Sequence, residues 1–528
     1  MENKKTKIIS IGAVVALALT VITATYAYFN AQVGDPAVAD IKVNANTVDT
    51  FTFSNGSAIS FSINQDNFAS GAGNQSGSTY ASAMLTANNK TNTATEHYYM
   101  YLNIENNTFT YSINTNTPEI IMTVTDSAGT EITDISTLTH VIVTGANGTQ
   151  VSGYDITNKS GLIPLFDNRE ITTTSSKEEK WNITITFVNY DENQNANAGK
   201  SMSAKVMIQK EVIPQVVSDV CSNGTNLATC ITTLANKSIP SATNIYHHDS
   251  SLSNGAGDNS YRYAGASDVV NNFVCFGSNE STCPTDNLYR IIGVFGNNVK
   301  LIKYDYGTTD ELGTDGDYNQ TYKEWGMDST YKGTYGDGER IGVYYWNNTT
   351  QTNTWSESLL NKTNLNTNFI NNIGEEWANK IATTTWKVGG NTYSNIYSKT
   401  PSVVYQNEIV NPVTTNTTDN ATEYTAKIGL MYVSDYGFAA EPSAWTLTIG
   451  NYNNTTATST NWMYMGLYEW TISRNADSSD RAFGVYGDGG VNDRGVDLYY
   501  AVRPSFNLLS SVTYSKGDGT QNSPIRIN

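Results

Sequence analysis

The chain has 528 residues, only 15% of them charged, and a formal net charge of -18. Cytoplasmic globular chains carry about 25% charged residues, so the polar surface here falls to Asn, Thr, Ser and Gly, beside 34 Tyr. Beyond the first seven residues no Lys/Arg cluster exists that could neutralise a run of phosphates, which argues against nucleic acid as a partner and against adhesion to anionic lipid by charge alone. Uncharged polar residues mixed with β-branched and aromatic ones suit pleated sheets joined by long loops.

In chain order, Lys4, Lys5 and Lys7 precede an uncharged apolar or small run, Ile8 to Ala24. That is the n-region and h-region of a secretory signal. Thr25-Tyr26-Ala27 sets small residues at the -3 and -1 positions of a cut after Ala27. Counted through Phe29, the run approaches the ~20 residues that span a bilayer. Residues 1–29 therefore read as a signal peptide or membrane anchor, and both readings place 30–528 outside the cell.

Residues 30–210 read as a β-sandwich. Alternating segments recur at 51–63, 98–104, 108–113, 119–126, 140–145, 181–190 and 203–210, with a turn predicted at Asp126-Ser127-Ala128-Gly129. Residues 211–244, bounded by Pro214 and Pro240, read as a linker with a short helix presenting Leu227, Ile231 and Leu234. Eight of the 9 Trp follow this segment, so a different core begins there. Residues 245–528 read as an α+β domain, making the chain mainly β overall. Its predicted features are a hairpin over 288–306, turning at Gly296-Asn297-Asn298, and a helix over 366–382 with Phe369, Ile373, Trp377 and Ile381 on one face.

Four cysteines in an exported chain read as two disulfides. Three pairings are possible, and the local one, Cys221–Cys230 with Cys275–Cys283, is preferred. Neither gap has zinc-site spacing, so His247-His248 between the pairs is not read as a metal site. DGDYN (315–319) and YGDGGVND (486–493) offer oxygen ligands for calcium but lack the EF-hand order ending in Glu. No HExxH, GxSxG or phosphate-loop motif occurs. Glu375, Glu376, Glu441 and Glu469 are the carboxylates a hydrolase could recruit, yet no spacing pairs them. No catalytic residue and no cofactor is assigned.

Two resemblances add to this. The ATYAYFNAQ ending of the N-terminal segment, followed by an alternating β unit, resembles SipW-type-processed matrix-fibre and camelysin-like proteins of low-GC Gram-positive bacteria. The stretches GLMYVSDYGFA (429–439), YEWTISRNADSSDRAFGVYGDGGVNDRGVDLYYAVRPSFNL (468–508) and GDGTQNSPIRI (517–527) resemble the C-type-lectin-like fold of formylglycine-generating-enzyme relatives and of the variable proteins of diversity-generating retroelements. Nothing after Cys283 is Cys, so the oxidase chemistry of the former is not implied. The latter resemblance implies ligand-binding residues in the C-terminal loops: Tyr468, Ser473, Arg474, Asn475, Asp477, Ser478, Asp480, Arg481, Asp488, Asn492, Arg494 and Asp497. Trp470, Phe483, Tyr500 and Phe506 read as core, and Arg503 as a holder of a buried carboxylate or of backbone carbonyls. The resulting expectation is a surface protein that binds an extracellular glycan or protein ligand, membrane-attached where the N-terminal segment is retained. A matrix-fibre component is the alternative, and an extracellular hydrolase the third.

Overall fold

The structure is a computed structural model that describes residues 49–64, 67, 72–88, 92–325, 331–335, 338–413 and 421–528. Residues 1–29, expected to be a signal peptide or membrane anchor, lie outside them. Strands account for 37% and helices for 19%, so the fold is mainly β. The chain divides into two compact units, one ending at Val212 and one spanning Ile213–Asn528.

The described residues of the first unit hold ten strands: β1 (Thr50–Asn55), β2 (Ile59–Ser62), β3 (Gln75–Thr86), β4 (Ala94–Asn107), β5 (Ile120–Asp126), β6 (His140–Thr144), β7 (Gln150–Asp155), β8 (Gly161–Thr173), β9 (Ser176–Phe187) and β10 (Ser201–Gln209). They form a six-stranded sheet, β1-β3-β9-β5-β7-β6, and a four-stranded sheet, β2-β10-β4-β8. Alternate residues face inward, as a pleat requires. Ala81, Ala83 and Leu85 of β3, with Trp181, Ile183 and Ile185 of β9, meet Tyr98, Met100 and Leu102 of β4 and Met202, Ala204 and Val206 of β10 in one buried cluster. The predicted turn forms: the Asp126 carboxylate accepts from the amides of Ala128 (2.9 Å) and Thr130 (2.8 Å), and Gly129 takes a φ of 83°.

Three strands, β3, β7 and β8, were not expected, and one expected strand is absent. Residues 108–113 form no ladder. The amide of Thr110 donates to the Asn197 side chain (3.1 Å), and those of Ser112 and Ile113 donate to the buried Glu119 carboxylate. Only the Thr108 amide reaches a neighbouring strand, at the Ser201 carbonyl; side chains take the amides of Thr110, Ser112 and Ile113.

In the second unit the segment expected to be a linker is core. Helix Leu227–Lys237 is capped by Asn226, whose side chain accepts from the Thr229 amide, and it buries Leu227, Ile231 and Leu234 in the unit's main cluster. Cys221–Cys230 fastens its first turn. Cys275–Cys283 closes a loop beside the sheet, so the preferred local pairing holds. The hairpin forms from Leu288–Phe295 and Asn298–Lys303, with Gly296 at φ 60° in a two-residue turn. It sits in a seven-stranded sheet with Ile245–His247, Tyr261–Tyr263, Phe273–Cys275, Ile428–Gly429 and Ser505–Asn507.

The single helix expected over 366–382 is instead two pieces. A π-helical run, Leu360–Phe369, continues as Ile370–Ile373 and stops at Gly374, whose φ of 82° no helix accommodates. A short turn, Glu375–Ala378, follows, and Ile381 enters a bridge with Leu508. Among the described residues no helix is long and apolar enough to cross a membrane.

His248 makes the second unit acid-sensitive. Its side chain is fully buried against Phe438 and Trp445, and its Nδ1 accepts from the Ala256 amide (3.0 Å). Burial, aided by the Arg262 charge, pushes its pKa down to about 2. The folded state therefore refuses a proton that the unfolded chain takes up below about pH 6.5, and stability falls as pH falls through that window. His248→Asn removes this contribution. Urea unfolding should show the stability of the wild type relative to the variant shrinking by about 2 kcal/mol between pH 7 and pH 4.5; a difference that stays constant with pH would refute this assignment.

Candidate functional site

The C-terminal candidates lie on a six-stranded sheet ordered Tyr318–Thr321, Gly342–Tyr345, Tyr499–Ala501, Glu469–Arg474, Arg481–Val485 and Val491–Gly495. Every residue of Glu469–Arg474 is buried. The expected polar excursion over 492–497 is largely a strand, since Val491–Gly495 pairs along its length with Arg481–Val485. Trp470 packs on Tyr500 at 4.4 Å between ring centres and donates its indole N–H to the Tyr344 carbonyl (2.9 Å). Trp470, Phe483, Tyr500 and Phe506 are all core.

The chain crosses between the two large sheets at Arg503-Pro504. Tyr499–Ala501 belongs to the six-stranded sheet and Ser505–Asn507 to the seven-stranded one. Proline suits the break because it has no N–H to give a ladder. The Arg503 guanidinium donates to both Glu469 oxygens (2.8 and 2.9 Å) and to the Met463 carbonyl (2.7 Å), all in the interior. Burial pushes the Glu469 carboxyl upward and Arg503 pulls it back. This fork fully occupies the one proposed hydrolase carboxylate that lies on the sheet.

The loop from Asn475 to Arg481 is pinned from beneath by a residue far away in sequence. The Asn353 side-chain amide donates to the carbonyls of Asn475 (2.7 Å), Ser478 (2.7 Å) and Arg481 (2.8 Å), and its backbone N–H donates to Ser479 (2.6 Å). Asn475 donates to Asp493 (2.7 Å), and the Val496 amide donates to the Asp480 carbonyl (2.8 Å). The Asp477 carboxylate accepts from the Tyr393 amide (2.9 Å).

The twelve candidates do not form one face. Asp477, Ser478, Asp480, Arg481 and Asp497 gather at the end of the sheet carrying this loop, and Asp477, Asp480, Arg481 and Asp497 are exposed. Tyr468, Asp488 and Asn492 lie toward the opposite end, around the 486–490 turn, and Arg494 reaches that way to lie over the Tyr486 ring (4.8 Å). Ser473, Arg474 and Asn475, expected to be displayed with the others, lie inside. They are 2%, 1% and 3% exposed, because the strand continues through 474 and its neighbours cover it. Ser473 donates to Glu408, a buried carboxylate that also accepts from the amides of Val433 and Ser434 (3.0 Å each).

Sequence reasoning missed the neighbours of the exposed group. Tyr393 and Tyr397 stack at 4.8 Å beside Asp477, both half-buried, and Leu498 is 40% exposed next to Asp497. The two tyrosines lie more than seventy residues before the loop, and no local pattern links them to it.

The loops considered for calcium use their carboxylates internally. Asp317 accepts from the amides of Leu360 (2.8 Å) and Asn348 (3.1 Å), and Asp488 from Gly490 (3.0 Å). Among the described residues no group of three or more His, Cys, Asp or Glu is placed to hold a metal. Comparison of the chain with protein-family models, curated proteins and solved structures returns no match.

Asn353 and the exposed side chains should separate cleanly in stability. Asn353→Ala takes the side-chain donor from the carbonyls of Asn475, Ser478 and Arg481, the last of which keeps the Asn475 amide, and should cost about 2–4 kcal/mol in urea unfolding of the second unit. Asp480→Ala should stay within about 0.5 kcal/mol. Two small and similar effects would show that the loop is not held in this way.

Proposed function

We propose that this chain is an exported cell-surface protein that binds an extracellular glycan or protein ligand through the 475–481 loop end of its C-terminal unit. The observation carrying this is a rigid backbone presenting unlike groups side by side: exposed Asp477, Asp480, Arg481 and Asp497, the Tyr393–Tyr397 stack, and Leu498. Carboxylates and a guanidinium give directional hydrogen bonds, and tyrosine faces add contact area at little entropic cost. A loop already fixed by Asn353 is spared the ordering cost of binding. Two disulfides fit an oxidising, extracellular setting. The C-type-lectin-like arrangement, export by residues 1–29 and membrane attachment through them belong to the same reading.

One feature favours a fibre-forming role for the first unit. Among the described residues β6 pairs only with β7, and its Ile142 is 65% exposed on that edge. Strand addition there would join copies.

The full chain, screened on glycan and matrix-protein arrays with and without a calcium chelator, should bind saturably. Asp477→Ala/Asp480→Ala/Arg481→Ala should weaken the bound ligand at least about tenfold, equivalent to about 1.4 kcal/mol, while Asp488→Ala at the other end leaves it unchanged. Binding indifferent to the triple change would place the ligand elsewhere, and a chain silent on the arrays that sediments as polymers would favour the fibre reading.

A further inference from the structure

Three buried cations of the second unit each have several acceptors. Arg262 donates to Ser260 and Asp258 (2.8 Å each), Lys303 to the Asp286 carbonyl (2.7 Å) and to Glu311 (2.8 Å), and Arg503 to Glu469 and Met463. Lys300 is different. Among the described residues its Nζ has a single acceptor, Asp435 Oδ2 at 2.5 Å, and the two side chains are only 5% and 2% exposed. The rings of Tyr432, Trp386 and Phe295 are centred 4.4, 5.3 and 5.7 Å from that nitrogen.

A third carboxylate adjoins the pair. Lys300 belongs to strand Asn298–Lys303 and Asp435 to helix Val433–Ala439. Where that helix begins, Asp435 accepts from the Tyr432 amide (3.0 Å), and Glu408 accepts from the next two, Val433 and Ser434 (3.0 Å each). Glu408 is 1% exposed. Burial pulls the Lys300 amine below its usual value and pushes the Glu408 carboxyl above its own, and the two lie close enough for the Glu408 charge to act on Lys300. Burial thus favours a free amine and a carboxylic acid over their ions. A desolvated lysine amine is a nucleophile, and Asp435 Cγ is one bond beyond the oxygen it touches, so the fold has already brought the reacting groups together.

We propose that Lys300 and Asp435 join in an intramolecular isopeptide bond, with Glu408 as the proton relay. Lys300 Nζ, as the free amine, attacks Cγ of the protonated Asp435 carboxyl. The Nζ–Cγ bond forms and the Cγ–Oδ2 bond breaks. Glu408 gives its proton to the departing Oδ2–H, which leaves as water, and takes one back from Nζ. Arg262 Nη1, 3.5 Å from Oδ1, faces the oxygen on which negative charge develops. One amine and one carboxylic acid become one amide and one water, with no oxidant or reductant. Arg262 keeps Asp258, so the reaction strands no charge in the interior. The product staples a strand of the seven-stranded sheet to a helix 135 residues further along the chain. Like a disulfide it restricts the unfolded chain, but reduction does not open it.

Tryptic mapping of the reduced full chain by mass spectrometry tests this. The segments 291–303 and 428–474 hold Lys300 and Asp435 and no cysteine. They should appear as one branched peptide, lighter than their sum by one water and uncut after Lys300. Lys300→Met and Glu408→Gln should each leave the 428–474 segment unjoined, at its full mass. The wild-type map decides the matter even where a variant fails to fold. Wild-type peptides that are cut after Lys300, with 428–474 separate and at full mass, overturn the proposal. A Glu408→Gln chain joined as completely as the wild type overturns the role given to Glu408.

Discussion

The C-terminal unit depends on the fork between Arg503 and Glu469. Glu469 opens the strand that leads to the candidate loop, and Arg503 stands where the chain leaves one sheet for the other. A buried pair of this kind is not a large net source of stability, but losing either partner strands a charge in the interior. Its consequence is positional: Met463, Glu469 and Arg503 hold the start of one strand and the crossover between the sheets in a single geometry. Everything that follows Glu469, including the exposed carboxylates, is placed relative to that point.

Beyond it, the frame is held less by charge than by asparagine. Asn353 gathers three loop carbonyls, Asn364 donates to those of Leu312 and Asp315, Asn347 to Thr352, and Asn361 to Trp355. All four side chains are fully buried. A neutral amide crosses into the interior at far lower cost than an ion and supplies two donors to backbone that no strand or helix satisfies. This connects the composition to the architecture. A chain poor in charge and rich in Asn can afford long irregular loops, because its own side chains complete their hydrogen bonds.

The legibility of the fold follows from the same point. Segments with strong apolar alternation were readable: the 288–303 hairpin, the sandwich strands at 98–104, 119–126, 181–190 and 203–210, and the Trp-rich change of core. β3 was not, because of its buried residues Thr79, Ala81, Ser82, Ala83 and Leu85 only the last is large and apolar, and its periodicity has little contrast. Residues 108–113 alternate well but give their amides to Asn197 and Glu119, a contact set by distant chain. The 366–382 stripe misled because apolar spacing alone does not register the stop at Gly374. At the site, the polar character of 473–475 was visible, but its burial was not, because the residues that cover it come from 388–391, 408 and 433–434. The exposed group at 477–481 was legible; its tyrosine neighbours were not.

The central claim is that the 475–481 loop is as rigid as the sheet it leaves. Native-state hydrogen exchange on the wild-type chain tests it most directly, through the amides of Asn353, Asn475 and Val496, which donate to Ser479, Arg481 and Asp480. The account predicts that they exchange only with global opening of the unit, with protection matching that of the 288–295 strand. Fast local exchange at these three amides, while the 288–295 strand stays protected, would contradict it.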